Sequence, residues 1–327
     1  MANNQGLAGF LDDLPPVEFC CTYGSSLLNN RDKTTMVDYI LGVSDPMQWH
    51  TKNLELNSDH YASLSVQLGG AKLITQVADV IGVGVHFNPY VEWDDKMIKY
   101  GVVRMHDLVQ DIFSWEHFYL SGRLQKPVNV LKDNLDIENI NSVSLRAATS
   151  AALLLLPPKF TEAELYAKIC SLSYMGDLRM LFAEDKNKVN KIVEGQFPLF
   201  RKMYKPFIEE YAAKDLLRYP AYVRHFGNIV QDCGLPATSV LVSSLPSNVK
   251  RRMGMKSGEK INHSQSGRAI YEVAIASREE AASCMQKVLR RIVLVSSTRQ
   301  AISGVLAAGG VHAAQYLSNK MSKWWKS

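Results

Sequence analysis

Two apolar runs, residues 17–23 and 36–43, constrain this chain more than any other feature. Each is too short for a stable helix and rich in strand-forming side chains, so they predict neighbouring strands. Between them stands Tyr23-Gly24-Ser25-Ser26, and twelve residues after Ser26 comes Asp38, enclosed by Val37 and Tyr39-Ile40-Leu41. A tight turn built on Gly24 lets backbone N–H groups approach a phosphate without side-chain obstruction, and the hydroxyls of Ser25 and Ser26 can donate to the same oxygens. A lone acid in an apolar strand is expensive unless it has a partner. On the strand beside such a turn, a carboxylate can hold Mg2+ against a triphosphate. The pair predicts transfer of a nucleotidyl group from a nucleoside triphosphate; the competing reading is a plain hairpin with a solvated aspartate.

The order of the remaining segments predicts an α+β fold. Pro46 ends the second strand, and residues 49–56 read as a helix closed by Asn57-Ser58-Asp59. Residues 83–91, 100–103 and 128–131 read as strands, with a helix over 107–115. From Ser142 the pattern turns helical, first over 144–156, which Pro157-Pro158 stops. Thr161 can cap the next helix, with Glu164 completing a capping box. Helices are expected over 188–203 and 205–218. Residues 244–268 are rich in Ser, Gly and Lys with little periodicity and read as a flexible loop. Gly309-Gly310 is expected to split the last segment into two helices. The boundaries so drawn are 1–145, 146–243, a loop at 244–280, and a tail at 281–327.

Composition narrows the class. Apolar residues make up 46% and charged residues 21% of 327, which fits a folded chain of one large or two modest domains. The five cysteines show no CxxC or Cys/His spacing, which argues against a disulfide framework or structural zinc and for a reducing compartment. Residues 1–14 hold Asp12 and Asp13 and no Lys or Arg, an unpromising start for a secretory or mitochondrial leader. No run approaches the roughly 20 apolar residues a membrane span needs. Net charge is +5, but residues 281–327 contain no acid and carry Lys287, Arg290, Arg291, Arg299, Lys320, Lys323 and Lys326. The remainder is near neutral, so no nucleic acid is expected as a partner.

The wider words carry a family resemblance. YGSS at 23–26, MVDYILGVSDPMQWHTKNLELNSDHY at 36–61, KYGVV at 99–103, YLSGRLQKPV at 119–128, LSYMGDLRM at 172–180 and AEDKNKVNKIV at 183–193 are specific, as are SSTRQAISGVLAAGG and YLSNK in the tail. The chain resembles the mitochondrial CDP-diacylglycerol synthase family, also called the translocator assembly and maintenance family, over nearly its whole length. The first segment also resembles the polymerase-β-like nucleotidyltransferase superfamily, with one departure. That superfamily usually sets a second acid two residues from the first, and here Met36 and Ile40 occupy those positions.

The resemblance implies a polymerase-β-like domain, a helical winged-helix-like domain and a basic C-terminal helical segment. It implies phosphatidate cytidylyltransferase activity with Mg2+, taking CTP and phosphatidic acid to CDP-diacylglycerol and pyrophosphate for cardiolipin. It places the protein as peripheral on the matrix side of the mitochondrial inner membrane. Asp38 becomes the expected metal ligand, with Asp177 or Asp185 supplying the missing acid. Tyr23, Gly24, Ser25, Ser26, Lys99, Arg179 and Lys186 become candidates for the CTP phosphates, Lys126 for a catalytic cation, and Lys188 for a further phosphate contact. His50 and His60 are expected in hydrogen-bonded structural roles, and Trp49, Trp93 and Trp115 in the core. In the tail, Leu317, Met321 and Trp324 share one helical face flanked by Lys320, Lys323 and Lys326, and Trp324-Trp325 suit a lipid interface. An anionic membrane surface is therefore an expected partner. Two competing functions remain at this level: a nucleotidyltransferase with another acceptor, and a non-catalytic, membrane-attached assembly factor for protein import.

Overall fold

The computed structural model describes residues 7–24, 36–177, 180, 187–218, 228–257, 259–263, 269–273 and 275–325, without the side chains of 64, 256–273 and 308–325. Strands β1 (Phe19–Tyr23), β2 (Val37–Val43), β3 (Val85–Trp93), β4 (Lys96–Arg104) and β5 (Asn129–Asp133) form one mixed sheet in the order β3-β4-β2-β1-β5. β1 is antiparallel to both β2 and β5, β3 is antiparallel to β4, and β2 runs parallel to β4. A parallel pair needs a long crossover. Here it holds α1 (Pro46–Leu56), α2 (Ser63–Leu68), α3 (Gly70–Gln76) with a π turn at Val77–Ile81, and β3 itself. Asp45 caps α1 through the Met47 and Gln48 amides, and Pro46 suits its first turn.

Strand alternation sorts side chains onto two faces. One face carries Cys20, Val37, Tyr39, Leu41, Ile98, Tyr100 and Val102 and packs on Phe10 and Trp49. The other carries Phe19, Cys21, Ile40, Val85 and Val103 and packs on Leu108, Ile112, Leu120, Leu124 and Ile137. These come from α4 (Met105–Ser114), α5 (Ser121–Leu124), α6 (Ile137–Ile140) and their connections.

A second, larger core lies in the helical half. α7 (Ser142–Leu155), α8 (Glu162–Leu172) and α9 (Lys188–Ala213) pack there with α10 (Leu235–Ser243), α11 (Ser247–Ser257) and the first turns of α12 (Arg278–Trp325). The Thr161/Glu164 capping box forms as expected. α9 runs through the expected break near residue 204 and instead kinks at Gln196, two residues before Pro198. Strands β6 (Lys159–Phe160), β7 (Leu217–Arg218) and β8 (Ile229–Gln231) make a small antiparallel sheet, and β9 (Glu259–His263) pairs with β10 (Ala269–Val273).

Two expectations are corrected. Residues 247–257, read as loop for their polarity, form α11, because Val249 and Met253 are fully buried and anchor one face. The tail is not a separate segment. Ala281, Cys284, Met285, Val288, Leu289, Ile292 and Val293 belong to the helical core, and α12 continues unbroken through Gly309-Gly310.

Candidate active site

The ladders bring three of the expected residues together. Tyr23 stands opposite Asp38 in the β1/β2 register, and Asp38 opposite Lys99 in the β2/β4 register. All three project from the same face. Lys99 Nζ lies 3.5 Å from Asp38 Oδ1, with the two side chains 25% and 23% exposed, so the carboxylate is reachable from solvent. Gly24 follows Tyr23 with φ +90, and a Cβ there would stand 3.3 Å from Asp38 Oδ2. Glycine is required on both counts: the left-handed backbone and the close approach of the turn to the acid. Ser25, Ser26, Arg179, Asp185 and Lys186 lie outside the described residues.

Other side chains complete the site. Lys99 Nζ also sits 4.6 Å from the Phe87 ring centroid. Phe87 can lie across β4 because residue 101 is glycine; a Cβ there would meet its ring at 2.5 Å. Phe87 meets Tyr119 edge-on at 6.3 Å. The Arg123 guanidinium lies 3.8 Å from the Tyr119 ring centroid and 5.5 Å from that of Tyr23, and it donates to the Tyr119 carbonyl. Burial, then the Asp38 charge, pushes the Tyr23 phenol far up, and Arg123 offsets only part of that. Tyr23 therefore remains a neutral phenol in the working pH range.

Asp111 delivers Tyr119 and Arg123. Its buried carboxylate accepts from the backbone N–H of His117, Phe118, Leu120 and Ser121 at 2.9–3.1 Å and from the Ser121 hydroxyl at 3.0 Å. The loop needs this anchor, because Trp115 and Phe118 hold left-handed φ values of 53 and 52. Sequence reasoning passed over Asp111, Tyr119 and Arg123. Asp111 was detectable by the argument used for Asp38: it shares the helical face of Leu108, Ile112 and Trp115.

Lys126, Asp177 and Lys188 gather around Tyr174. Lys126 Nζ donates to the Gly122 carbonyl and, at 2.7 Å, to Ser173 Oγ. Lys126 and Lys188 stand 4.9 and 5.2 Å from the Tyr174 ring centroid. Asp177 is 2% exposed, and its amide donates to the Tyr174 carbonyl. Among the described residues no three His, Cys, Asp or Glu side chains cluster as a metal cage.

The histidines lie behind the sheet. His50 Nδ1 bonds Tyr61 Oη at 2.8 Å, and His60 Nδ1 bonds Tyr100 Oη at 2.9 Å. Asn53 donates to both phenols, and Asn88 donates to Tyr100 while bonding His86 Nε2 at 2.9 Å. Burial lowers all three imidazoles, His86 to about 4. Trp49 and Trp115 are core residues, at 5% and 0% exposure. Trp93 is half-buried and donates to Asp13 at 2.6 Å.

Comparison with known proteins identifies the family. A family model described as "Phosphatidate cytidylyltransferase, mitochondrial" matches residues 7–323. A Xenopus laevis protein of that name is 33% identical over 95% of this chain and 91% of its own length. A Mus musculus relative so named is 32% identical, covering 98% of this chain and 93% of its own. A Caenorhabditis elegans relative so named is 33% identical and covers 96% of each. With a family model matching residues 7–323 and relatives about a third identical along nearly the whole length, this chain belongs to the mitochondrial phosphatidate cytidylyltransferase family.

Proposed function

We propose that this protein is a phosphatidate cytidylyltransferase, converting CTP and phosphatidic acid to CDP-diacylglycerol and pyrophosphate. The observation that carries the reading is the solvent-reachable Asp38 carboxylate between the Gly24 turn and Lys99, in a chain that belongs to that family throughout. A phosphatidate oxygen attacks the α-phosphorus of CTP as the bond to the bridging pyrophosphate oxygen breaks. The nucleophile is already an anion and needs no strong base, so the protein's work is alignment and charge neutralisation. The Gly24 turn brings backbone donors to the phosphates, Lys99 offsets their charge, and Tyr23 offers a neutral hydroxyl.

Asp38 is a hard oxygen donor, and a single carboxylate plus triphosphate oxygens is a common way of holding Mg2+. Asp38 would hold the ion, with Asp177 or Asp185 as the candidate second acid, and the ion would neutralise charge on the triphosphate. We read the sheet half as a polymerase-β-like nucleotidyltransferase domain and the helical half as winged-helix-like.

Peripheral attachment to the matrix side of the mitochondrial inner membrane, in the service of cardiolipin synthesis, is part of the same proposal. No helix among the described residues is long and apolar enough to cross a membrane. On α12, Lys287, Arg291, Leu294, Val295, Ile302, Val305 and Leu306 are exposed along one stripe that leads toward Lys320, Lys323, Trp324 and Trp325. The side chains of those four lie outside the described residues. A basic, apolar-edged stripe suits an anionic lipid surface.

The direct test supplies labelled CTP, Mg2+ and phosphatidic acid to the purified protein and measures lipid-soluble label. No such product would sink the reading. Asp38→Asn is expected to lose at least about 100-fold in rate, the scale of a lost electrostatic contact in a transition state. Its melting temperature should barely move, because a quarter-exposed ion pair contributes at most about 1 kcal/mol. A variant at full rate removes Asp38 from the metal role.

A further inference from the structure

Six side chains close a ring around the open end of the sheet face. In order they are Asp38, Lys99, Phe87, Tyr119, Arg123 and Tyr23, each touching or standing in register with the next. They come from four strands, from the connection between α4 and α5 (Tyr119) and from α5 itself (Arg123). Lys99, beside Asp38, and Arg123, beside Tyr23 and Tyr119, are therefore the two cationic side chains of the ring. Their chemistry differs. Lys99 is a compact charge set over Asp38. Arg123 Cζ lies 3.8 Å from the Tyr119 ring centroid, and Nη1 donates to the Tyr119 carbonyl; a guanidinium carries five N–H donors in a rigid fork. A fork of that shape matches two oxygens of a phosphate group, the geometry in which charged hydrogen bonds are strongest.

The way Arg123 is held is costly. The preceding loop has two large residues in left-handed backbone, Trp115 and Phe118, kept in place by the five bonds to Asp111. Strain of this kind gathers at functional sites, where a fixed position matters more than local ease. Burial of the Tyr119–Phe87 pair alone would not require a guanidinium at its rim.

We propose that Arg123 is a phosphate-binding residue of this site and forms, with Lys99, a two-cation clamp for a substrate phosphate. The inference rests on the reading of the site as a nucleotidyl-transfer centre. The shared ligand chemistry is a phosphate anion, and it has two sources: the triphosphate of CTP, or the phosphomonoester headgroup of phosphatidic acid.

The experiment uses the full chain with Arg123→Gln and Arg123→Lys. It combines kinetics on vesicles containing phosphatidic acid, calorimetric titration with CTP and with pyrophosphate in the absence of lipid, and thermal melts. Arg123→Gln should weaken kcat/KM or anion binding by about 10- to 100-fold, the range of a lost hydrogen bond to a charged group. Arg123→Lys should recover part of that loss, and both should melt within about 5 °C of the parent, the scale of losing one or two hydrogen bonds at a partly buried position. Weaker CTP and pyrophosphate binding assigns the clamp to the triphosphate. A raised KM for phosphatidic acid with unchanged CTP binding assigns it to the headgroup. Parent-like kinetics and binding in both variants overturn the proposal. So does a loss of melting temperature in both variants with no selective change in any ligand's KM or Kd, the pattern of a purely structural residue. Should the parent make no lipid product, the cytidylyltransferase reading fails by itself. The pyrophosphate titration of parent against Arg123→Gln then still decides the clamp.

Discussion

Asp38 and Asp111 are both acids set among apolar neighbours, and each resolves the cost of burial differently. Asp38 stays a quarter exposed and takes a lysine at 3.5 Å, which leaves its other oxygen beside the Gly24 turn. Asp111 is 4% exposed and takes five donors, which leaves it nothing to offer a substrate. The histidines make a third kind of buried polar residue, held neutral. His86 titrates near 4 in the folded protein against 6.5 for an ordinary imidazole, because burial disfavours its charged form. Between those values the unfolded chain binds a proton that the folded chain does not, so stability rises with pH across this window. The loss is complete below about pH 4. Over the whole window His86 accounts for about 3 kcal/mol, and His50 acts in the same direction. Urea unfolding at pH 7 and pH 4.5 should therefore show a smaller stability drop for His86→Gln than for the parent. Equal drops would remove His86 as the cause.

At the scale of elements, the site is a product of strand register and one anchored loop. Register was partly legible: residues 17–23 and 36–43 read as apolar strands, so a shared face for Tyr23 and Asp38 followed once they paired. That β4, not β3, would lie beside β2 was not legible, because no short-range signal reports a parallel pairing across a long crossover. This pairing puts Lys99 on Asp38. The loop after α4 escaped notice because its order comes from a carboxylate binding backbone groups six to ten residues ahead. Asp111→Ala strands four backbone N–H groups, in a region with little access to water, and is expected to cost at least about 3 kcal/mol. Chemical denaturation measures it; a change under about 1 kcal/mol would mean that the loop holds itself. Activity should fall with stability, since Tyr119 rides on that loop and Arg123 follows it in α5.

Across the whole molecule, α12 ties the two halves together. Its first turns fill the helical core, and its middle crosses to the sheet, where Arg299 donates to the Val80 and Ile81 carbonyls and Gln300 to that of Val85. Arg299 is thus committed to the fold and is not one of the charges available to a membrane. The helix also covers the outer side of β3, an edge strand that would otherwise expose pairing groups. Truncation after Ala281 removes six buried apolar side chains, roughly 10 kcal/mol of burial, which approaches the whole stability of a typical domain. Such a chain should not fold. Truncation after Ala307 spares these contacts and should melt like the parent while losing most co-sedimentation with anionic liposomes. Retained binding would shift the membrane contact to the stripe between Lys287 and Leu306. By itself the sequence determined the α+β order, the Gly24–Asp38 pair, the Thr161 cap and the acid-free tail, all of which rest on local composition and spacing. Only the tertiary structure decided that Lys99 meets Asp38, that Arg123 stands beside Tyr23 and Tyr119, that Asp111 holds the loop before Arg123, and that the tail begins as core. Those features depend on contacts between residues far apart in the chain, and such contacts form only when burial of a shared core repays the ordering of everything between them.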